Sequence, residues 1–316
     1  MGGAMLLLID ETLQKGYGFS TGFSLFAVLS VSTKFVWNAL SLSTQDIGRG
    51  KEFIGAIVSL VHGLFTRNFK NALIESFYRT HLPNVFEVYG NILAFGAVVF
   101  LLNFRYDINV KSTKVRTPSS NYPIRLLYTG NVPIYMFYAI VSNLFIFSNI
   151  LFRLFPSNVV VRLIGTWEQH GDNPQLFAVS GLCYYLQPPF GLVEALWDPI
   201  KTVIYASTLI LAAIYFAKTW TEISGSSPRD IAKQFKDNDI VIVGHRDVAI
   251  LRELKKIITP AAAIGGALSA AVIVLPDLLG FTGSGLLMFI GASTIYTYFE
   301  IIAQESGQPG FSVGNW

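Results

Sequence analysis

The residue types that most often do chemistry are present in this sequence, but their spacing supports no catalytic or metal site. The histidines are scattered and lack the spacing of metal ligands. They are His62, His81, His170 and His245. The 316 residues contain no P-loop, dinucleotide-binding fingerprint, HExxH motif or Gly-x-Ser-x-Gly motif. The single cysteine, Cys183, excludes an internal disulfide and a cysteine-rich metal site. The sequence therefore predicts a protein that is not an enzyme and that uses no metal or cofactor.

Ionisable residues inside apolar segments would point to a proton relay, an ion-coupled transporter or an intramembrane protease. Glu87, Asp277 and Glu300 lie within about one turn of predicted helix ends, where their carboxylates can reach lipid headgroups. Lys34 lies deeper, but its long side chain can extend toward the far interface. Because none of these residues is paired near the centre of a helix, they predict neither a proton relay nor a membrane protease.

Milder polar residues occupy the centre of one apolar segment. Ser142 and Asn143 lie near the middle of the segment 132–155. One interpretation is that they bond to a neighbouring helix and stabilise the bundle. The other is that they form a polar hinge, at which a seam between helices opens and closes.

The elements that carry these residues are membrane-spanning helices. The chain is 52% hydrophobic and only 14% charged, whereas soluble domains are about 25% charged. Six segments reach the length of roughly 20 mainly apolar residues that a span requires. They are 19–42, 85–104, 132–155, 200–220, 260–280 and 282–303. The sequence therefore predicts an all-α, polytopic membrane helix bundle of about six transmembrane helices, with a shorter interfacial helix at 53–65.

The distribution of charge predicts the orientation of the chain. The loops 105–131 and 221–259 are strongly basic, and six alternating spans place them on the same side of the membrane. The positive-inside rule makes that side cytosolic, together with the C-terminus. The loop 156–199 is acidic, whereas 43–84 carries five basic residues and departs from the trend.

Both cytosolic loops are predicted to be ordered. In 221–259, Ser227 and Pro228 begin a helix that runs to about Asn238. An extended stretch at 240–243 follows, and then a second basic helix at 247–258 that stops before Pro260. In 105–131, alternation over 110–116, a turn at 118–121 and a return over 122–128 predict a β-hairpin.

Several motifs resemble the SecY family, and within it the alpha subunits of the eukaryotic Sec protein-translocation channel. They are Leu13–Gly18, Gly48–Phe53, Phe77–Asn84, Asn121–Thr129, Lys218–Trp220 and Ile223–Gln234. The resemblance covers essentially residues 6–305, in order and without large gaps.

The resemblance implies an arrangement of segments along the chain. Family members have ten spans, so this chain is expected to begin at the end of the fourth and to lack the first four. The expected segments are a remnant helix with a cytosolic connection (1–18), two transmembrane helices with a lumenal helical loop at 43–84 (19–104), a cytosolic basic hairpin loop (105–131), two lateral-gate helices with a lumenal loop at 156–199 (132–220), a cytosolic basic helical loop (221–259), and a transmembrane hairpin with the C-terminal tail (260–316).

The resemblance also implies roles for individual residues. The family narrows its pore to an apolar ring, which falls here on Phe23, Ala27, Tyr135 and Ile290. Branched aliphatic residues are usual at these positions, so Phe23, Ala27 and Tyr135 depart from the pattern. Asn143, with Ser142 beside it, falls on the polar position of the lateral gate, which favours the hinge interpretation. The residues that fall on the ribosome-binding loops are Lys111, Lys114, Arg116, Arg125 and Arg246.

The function implied by the resemblance is the pore-forming subunit of a protein-conducting channel in the endoplasmic reticulum membrane. The implied partners are the ribosome, nascent polypeptides with their signal sequences, membrane lipid, and two small single-span subunits called beta and gamma. Two alternatives stay open. A secondary transporter would need a compact midplane substrate site with ionisable residues. A non-conducting membrane scaffold would follow from the missing N-terminal spans.

Overall fold

The structure is a computed structural model. It describes residues 2–16, 22–46, 50–66, 69–77, 79, 82–112, 120–169, 176–189, 191–242, 247–280 and 285–305.

Helices dominate these residues, and short strands occur only in the connections. The helices are α1 (Gly2–Gly16), α2 (Gly22–Leu40), α3 (Ala56–Thr66), α4 (Phe69–Phe77), α5 (Val85–Asn103), α6 (Val132–Leu154), α7 (Val159–Ile164), α8 (Leu182–Leu186), α9 (Leu192–Trp197), α10 (Pro199–Ile223), α11 (Pro228–Asp237), α12 (Asp247–Leu279) and α13 (Gly285–Glu305). The strands are β1 (Thr44–Asp46), β2 (Lys51–Phe53), β3 (Arg105–Ser112), β4 (Ser120–Arg125), β5 (Thr166–Gln169), β6 (Leu176–Ser180) and β7 (Ile240–Ile242).

The predicted all-α, polytopic membrane fold is confirmed. Among the described residues, five helices are long and apolar enough to cross a membrane, namely α5, α6, α10, α12 and α13. The predicted first span at 19–42 is α2, an apolar helix of 19 residues. The predicted short helix at 53–65 is α3, which begins at Ala56 because Phe53 belongs to strand β2.

The chain forms two compact units. Among the described residues, the first contains those up to Phe100 together with those from Leu275 to Glu305, and the second contains those from Leu101 to Val274. In the first unit, α2 packs against both α1 and α13. Two aspartates cap the helices that follow them: Asp10 accepts a hydrogen bond from the backbone N–H of Gly22, and Asp277 accepts one from Gly285.

The prediction that Asp277 reaches the headgroups was therefore wrong. Its side chain is buried, and its Oδ1 atom accepts the Gly285 N–H at 2.7 Å. The first N–H groups of a helix have no partner within the helix, and the positive end of the helix dipole attracts a carboxylate. Because α13 begins only six residues after α12 ends, its first N–H group lies within reach of Asp277.

The connection between α2 and α5 contains structure beyond the predicted helix. Strands β1 and β2 form an antiparallel hairpin, and α3 packs against α4. The Arg79 guanidinium ties the end of this connection to the hairpin, because its Nη2 atom donates to the Glu52 carboxylate at 3.2 Å and to the Phe53 carbonyl at 2.7 Å.

In the second unit, α6 packs against α10, and the sheet β4–β3–β7 is the largest. Helix α12 approaches its neighbours closely at two adjacent glycines. A Cβ atom on Gly265 would lie 2.2 Å from the Leu126 carbonyl oxygen, and one on Gly266 would lie 2.8 Å from that of Ala213. Only a residue without a side chain permits backbone contact at both positions.

The prediction that a basic helix stops before Pro260 was also wrong, because α12 continues through this residue to Leu279. The proline removes one N–H and leaves the carbonyl of Lys256 without its usual helical partner. Lys256 is exposed, so this carbonyl can be solvated. Leu254, Ile258 and Ala262 are buried on both sides of the proline and hold the helix in one piece.

Candidate functional site

The two basic loops of the second unit form one structure. Strand β3 pairs with β4 in an antiparallel hairpin, as predicted, and its other edge pairs with β7. Val110 lies opposite Ile242, and Lys111 lies opposite Val241. The loops 105–131 and 221–259 therefore share a three-stranded sheet, which we call the platform.

The two faces of the platform differ in character. Ile108, Val110 and Ile124 are buried on one face. The residues that alternate with them along β3 are exposed on the other, from Arg105 to Lys111. This alternation is expected for an antiparallel sheet with one face on a core and one face in water.

Helix α11 covers the buried face of the platform. It begins as predicted, with the Ser227 hydroxyl accepting a bond from the Asp230 N–H at 3.3 Å and Pro228 in the first turn. Ile231 and Phe235, one turn apart, are buried in the core of the platform. The Phe235 ring meets the Tyr122 ring edge-on, with 5.1 Å between centroids.

A hydrogen bond links the two loops near the start of α11. The Tyr128 hydroxyl donates to the Ser226 carbonyl at 2.8 Å. Burial raises the pKa of Tyr128 well above its ordinary value, so the hydroxyl remains a donor at physiological pH.

The platform continues into a membrane-spanning helix. Ile250, Leu254 and Ile258 of α12 belong to the same buried cluster as the sheet residues. Since α12 extends without a break from this cluster to Leu279, the platform rests directly on a span.

The structure separates two of the predicted ribosome-binding residues. Lys111 is exposed near the distal end of β3, whereas Arg125 pairs with Arg105 at the other end of the hairpin. Arg105 and Lys111 are six positions apart along β3, which corresponds to about 20 Å. The other predicted residues, Lys114, Arg116 and Arg246, lie outside the described residues.

The predicted gate residues lie on the exposed surface of α6. Ser142 and Asn143 are both exposed. The Asn143 amide donates to the Ala139 carbonyl of its own helix at 2.8 Å. The hydroxyls of Tyr138 and Tyr205 are 3.3 Å apart and join α6 to α10.

A buried lysine fixes the start of α10. The Lys201 ammonium is 2.6 Å from the Glu194 carboxylate and lies 4.3 Å from the centre of the Tyr184 ring. The Tyr184 hydroxyl donates to Asp198 at 2.6 Å, and this bond raises the pKa of Tyr184 to about 12. These contacts attach α8 and α9 to the start of α10.

The predicted ring residues are divided between the two units. Ala27 and Ile290 are buried in the first unit, on α2 and α13, which pack against each other. Tyr135 is half-buried on α6 of the second unit. The side chain of Phe23 lies outside the described residues.

Sequence reasoning missed the features that depend on distant partners. The run Ile240–Ile242 was predicted to be extended, but nothing in it identified β3 as its neighbour. Lys201 stood at the edge of a predicted span, and neither its burial nor its bond to Glu194 was expected.

Comparison with known proteins agrees with this architecture. The family model for SecY matches residues 1–299. The chain belongs to the SecY family. The SecY fold is also found in the Sec61 channel of a canine ribosome–channel complex, with a TM-score of 0.68 and 22% identity over 99% of this chain and 66% of that one.

Closer relatives of this SecY-family chain come from yeasts. It is 50% identical over 306 residues to the protein transport protein SEC61 subunit alpha of Wickerhamomyces anomalus. It is 48% identical over 315 residues to the protein transport protein SEC61 of Saccharomyces cerevisiae. These alignments cover 96% and 98% of this chain, which spans 64% and 66% of the two relatives.

A further solved relative was determined on the ribosome. The structure of an idle yeast Ssh1 complex bound to the yeast 80S ribosome has a TM-score of 0.73 and 26% identity, covering 96% of this chain and 64% of that one. SecY-family membership and the spanning helices together make this chain a multi-pass membrane protein.

Proposed function

We propose that this chain is the pore-forming subunit of the protein-conducting channel of the endoplasmic reticulum. The observation that carries the proposal is the platform, in which two basic loops are joined through the Val110–Ile242 pairing. Its relatives are named protein transport proteins, and the Ssh1 relative was solved on a ribosome.

The distal end of the platform is the proposed ribosome contact. Lys111, Lys114, Arg116 and Arg246 supply positive charge there and on the adjoining loops. Ribosomal RNA is a dense phosphate surface, and lysine and arginine contacts release condensed counterions from it. A sheet backed by a buried core holds Lys111 in place, so little conformational entropy of this residue's backbone is lost on docking.

The proposed path of a nascent polypeptide runs through the apolar ring. Ala27, Ile290 and Tyr135, with Phe23, would form a constriction that resists ions while an unfolded chain passes. No bond is made or broken in this process, and the translating ribosome supplies the driving force.

Lateral release is the second proposed route. A segment of about 20 apolar residues is better solvated by lipid than by an aqueous pore, so it leaves sideways. The seam beside α6 is the proposed exit, with Ser142 and Asn143 on its surface. The Asn143 amide is satisfied within its own helix, so opening the seam breaks no interhelical bond made by this residue.

The remaining partners and the location belong to the same proposal. The chain would sit in the endoplasmic reticulum membrane with both platform loops and the C-terminus in the cytosol. Signal sequences would enter at the seam, and two small single-span subunits, beta and gamma, would complete the assembly.

Ribosome co-sedimentation at increasing salt tests the docking step. We expect the affinity of the protein in its native assembly to fall roughly a hundredfold between 50 and 200 mM salt, as four phosphate contacts would produce. Charge reversal in Arg116→Glu and Arg246→Glu should weaken binding and flatten this salt dependence. Arg162→Glu is the matched control, because Arg162 is exposed on α7, in the acidic loop predicted to face the lumen. Binding that is absent or insensitive to salt would refute the docking step.

A further inference from the structure

Two arginines lie side by side at the membrane-proximal end of the platform. Arg105 of β3 is directly opposite Arg125 of β4 in the antiparallel register. Side chains at opposed positions have Cβ atoms about 5 Å apart, so both guanidinium groups can reach one ligand. Two guanidinium groups so placed also form a natural receptor for a phosphate, which each can bind with paired N–H groups.

Helix α12 indicates how far along the membrane normal this arginine pair lies. The Leu126 carbonyl, next to Arg125, lies against Gly265. Gly265 follows Lys256 by nine residues, which places it about 13 Å farther along the helix than the last charge of its basic segment. The residues from Ala261 to Gly265 are all apolar or glycine. The base of the hairpin therefore reaches the start of the apolar span.

The chain enters the hairpin directly from helix α5. This span ends at Asn103, two residues before Arg105. The Leu126 N–H donates to the Phe104 carbonyl at 2.9 Å, which extends the ladder one step past the arginine pair toward the membrane. Phe104 and Tyr106 are large and exposed beside Arg105, as is typical of residues at a membrane interface.

The outer face of the platform thus has basic residues at both ends and none between them. The intervening positions hold Asp107 opposite Pro123 and Asn109 opposite Asn121. Asp107 is the one acid on this face of the hairpin within the described residues. The two basic ends are separated by about 20 Å, so they meet different surroundings.

We propose that Arg105 and Arg125 bind the phosphate of an anionic phospholipid headgroup in the cytosolic leaflet. The charge, the paired register and the level in the membrane all fit this ligand. Long arginine side chains near a helix end extend naturally into the headgroup layer. The headgroup would hold the base of the platform to the bilayer. The ribosome contact would then use the distal end alone.

The test is lipid retention by the protein in its native assembly, reconstituted in nanodiscs that contain phosphatidylserine in phosphatidylcholine. Native mass spectrometry counts the phosphatidylserine molecules that remain bound as detergent is added. We expect the apparent affinity to fall roughly fivefold for each arginine replaced in Arg105→Gln and Arg125→Gln. Asp107→Asn should raise it, because this substitution removes the one acid on that face of the hairpin.

Two further variants separate this site from the ribosome contact. Asn109→Ala lies between the two basic ends and should leave lipid retention unchanged. Lys111→Gln should weaken ribosome binding in discs of pure phosphatidylcholine, whereas Arg105→Gln should bind ribosomes there as the unmodified protein does. Thermal unfolding of each variant identifies any loss of fold, and Asp107→Asn tests the site even if the double arginine variant unfolds.

Unchanged lipid retention in the double variant, or in Asp107→Asn, would overturn the proposal. A loss of ribosome affinity equal to that of Lys111→Gln would assign the pair to the ribosome contact instead. If every variant loses ribosome binding, or if no variant does, that result counts against the proposed function. The lipid proposal is then decided by lipid retention alone.

Discussion

Val110 of β3 lies directly opposite Ile242 of β7. This pairing makes one sheet from two loops that lie on either side of α6 and α10 in the chain. Both residues are buried in the cluster that also contains Leu254 of α12. The sheet is therefore coupled to a spanning helix through packed side chains.

Leu254 packs against the buried face of the platform, so truncating its side chain should loosen the sheet. Leu254→Ala removes a fully buried side chain and should cost about 2–5 kcal/mol of local stability. We expect faster amide hydrogen exchange in β3 and β7, together with weaker ribosome binding. Leu251→Ala, on an exposed position of the same helix, should change neither. Equal effects from the two variants would contradict the support role of Leu254.

Tyr128 joins the two loops by a single hydrogen bond. Tyr128→Phe leaves the Ser226 carbonyl without this donor and should cost about 1 kcal/mol. The raised pKa means that the bond contributes fully below the ordinary value of 10.0 and is lost as the pH rises through the raised pKa. Thermal unfolding should therefore show a constant difference between the variant and the unmodified protein from pH 6 to 9. A difference that disappears within this range would refute the assignment.

Asp277 caps α13. Replacing it with alanine or with asparagine separates the effect of the hydrogen bond from the effect of the charge. Asp277→Ala should destabilise the protein by about 1 kcal/mol, because the Gly285 N–H loses its acceptor. Asp277→Asn retains an oxygen in the same place and should restore most of the stability. Thermal unfolding in detergent provides the comparison. An asparagine variant as unstable as the alanine variant would show that the charge, and not the bond, is what matters.

Asn143 should set how apolar a segment must be to leave through the seam beside α6. Its side chain is exposed, so Asn143→Leu makes this surface more apolar and favours the closed seam. We expect the hydrophobicity required for insertion of a test segment to rise, as measured by glycosylation of reporter proteins in membranes. Ile146→Leu, at an exposed apolar position of the same helix, is the control. An unchanged or lowered requirement would count against the gate assignment.

Local signals in the sequence were sufficient for much of the fold. The serine and proline at 227 and 228 predicted the start of α11, because a cap depends on residues within one turn. The alternation in 110–116 predicted a hairpin, although β3 begins earlier, at Arg105. The apolar segments predicted the spans because a bilayer imposes a minimum length on any helix that crosses it.

The features that were missed depend on partners far away in the chain. The extended run at 240–242 has β-branched residues, but its register against β3 is decided by the shared core and not by its own sequence. The proline at 260 predicted a helix end that the packing of Leu254 and Ile258 overrides. The position of Arg105 directly opposite Arg125 became visible only when the register was known.

Site-specific crosslinking to a stalled nascent polypeptide tests the channel proposal most directly. A photoreactive amino acid would replace Ile290, Ala27 or Tyr135 in turn, in the native assembly bound to ribosomes that carry an arrested secretory chain. Leu268 provides the control, because it is exposed on the spanning part of α12. The proposal predicts crosslinks to the nascent chain from the three ring positions and none from Leu268. Crosslinks from the control alone, or from no ring position, would contradict it.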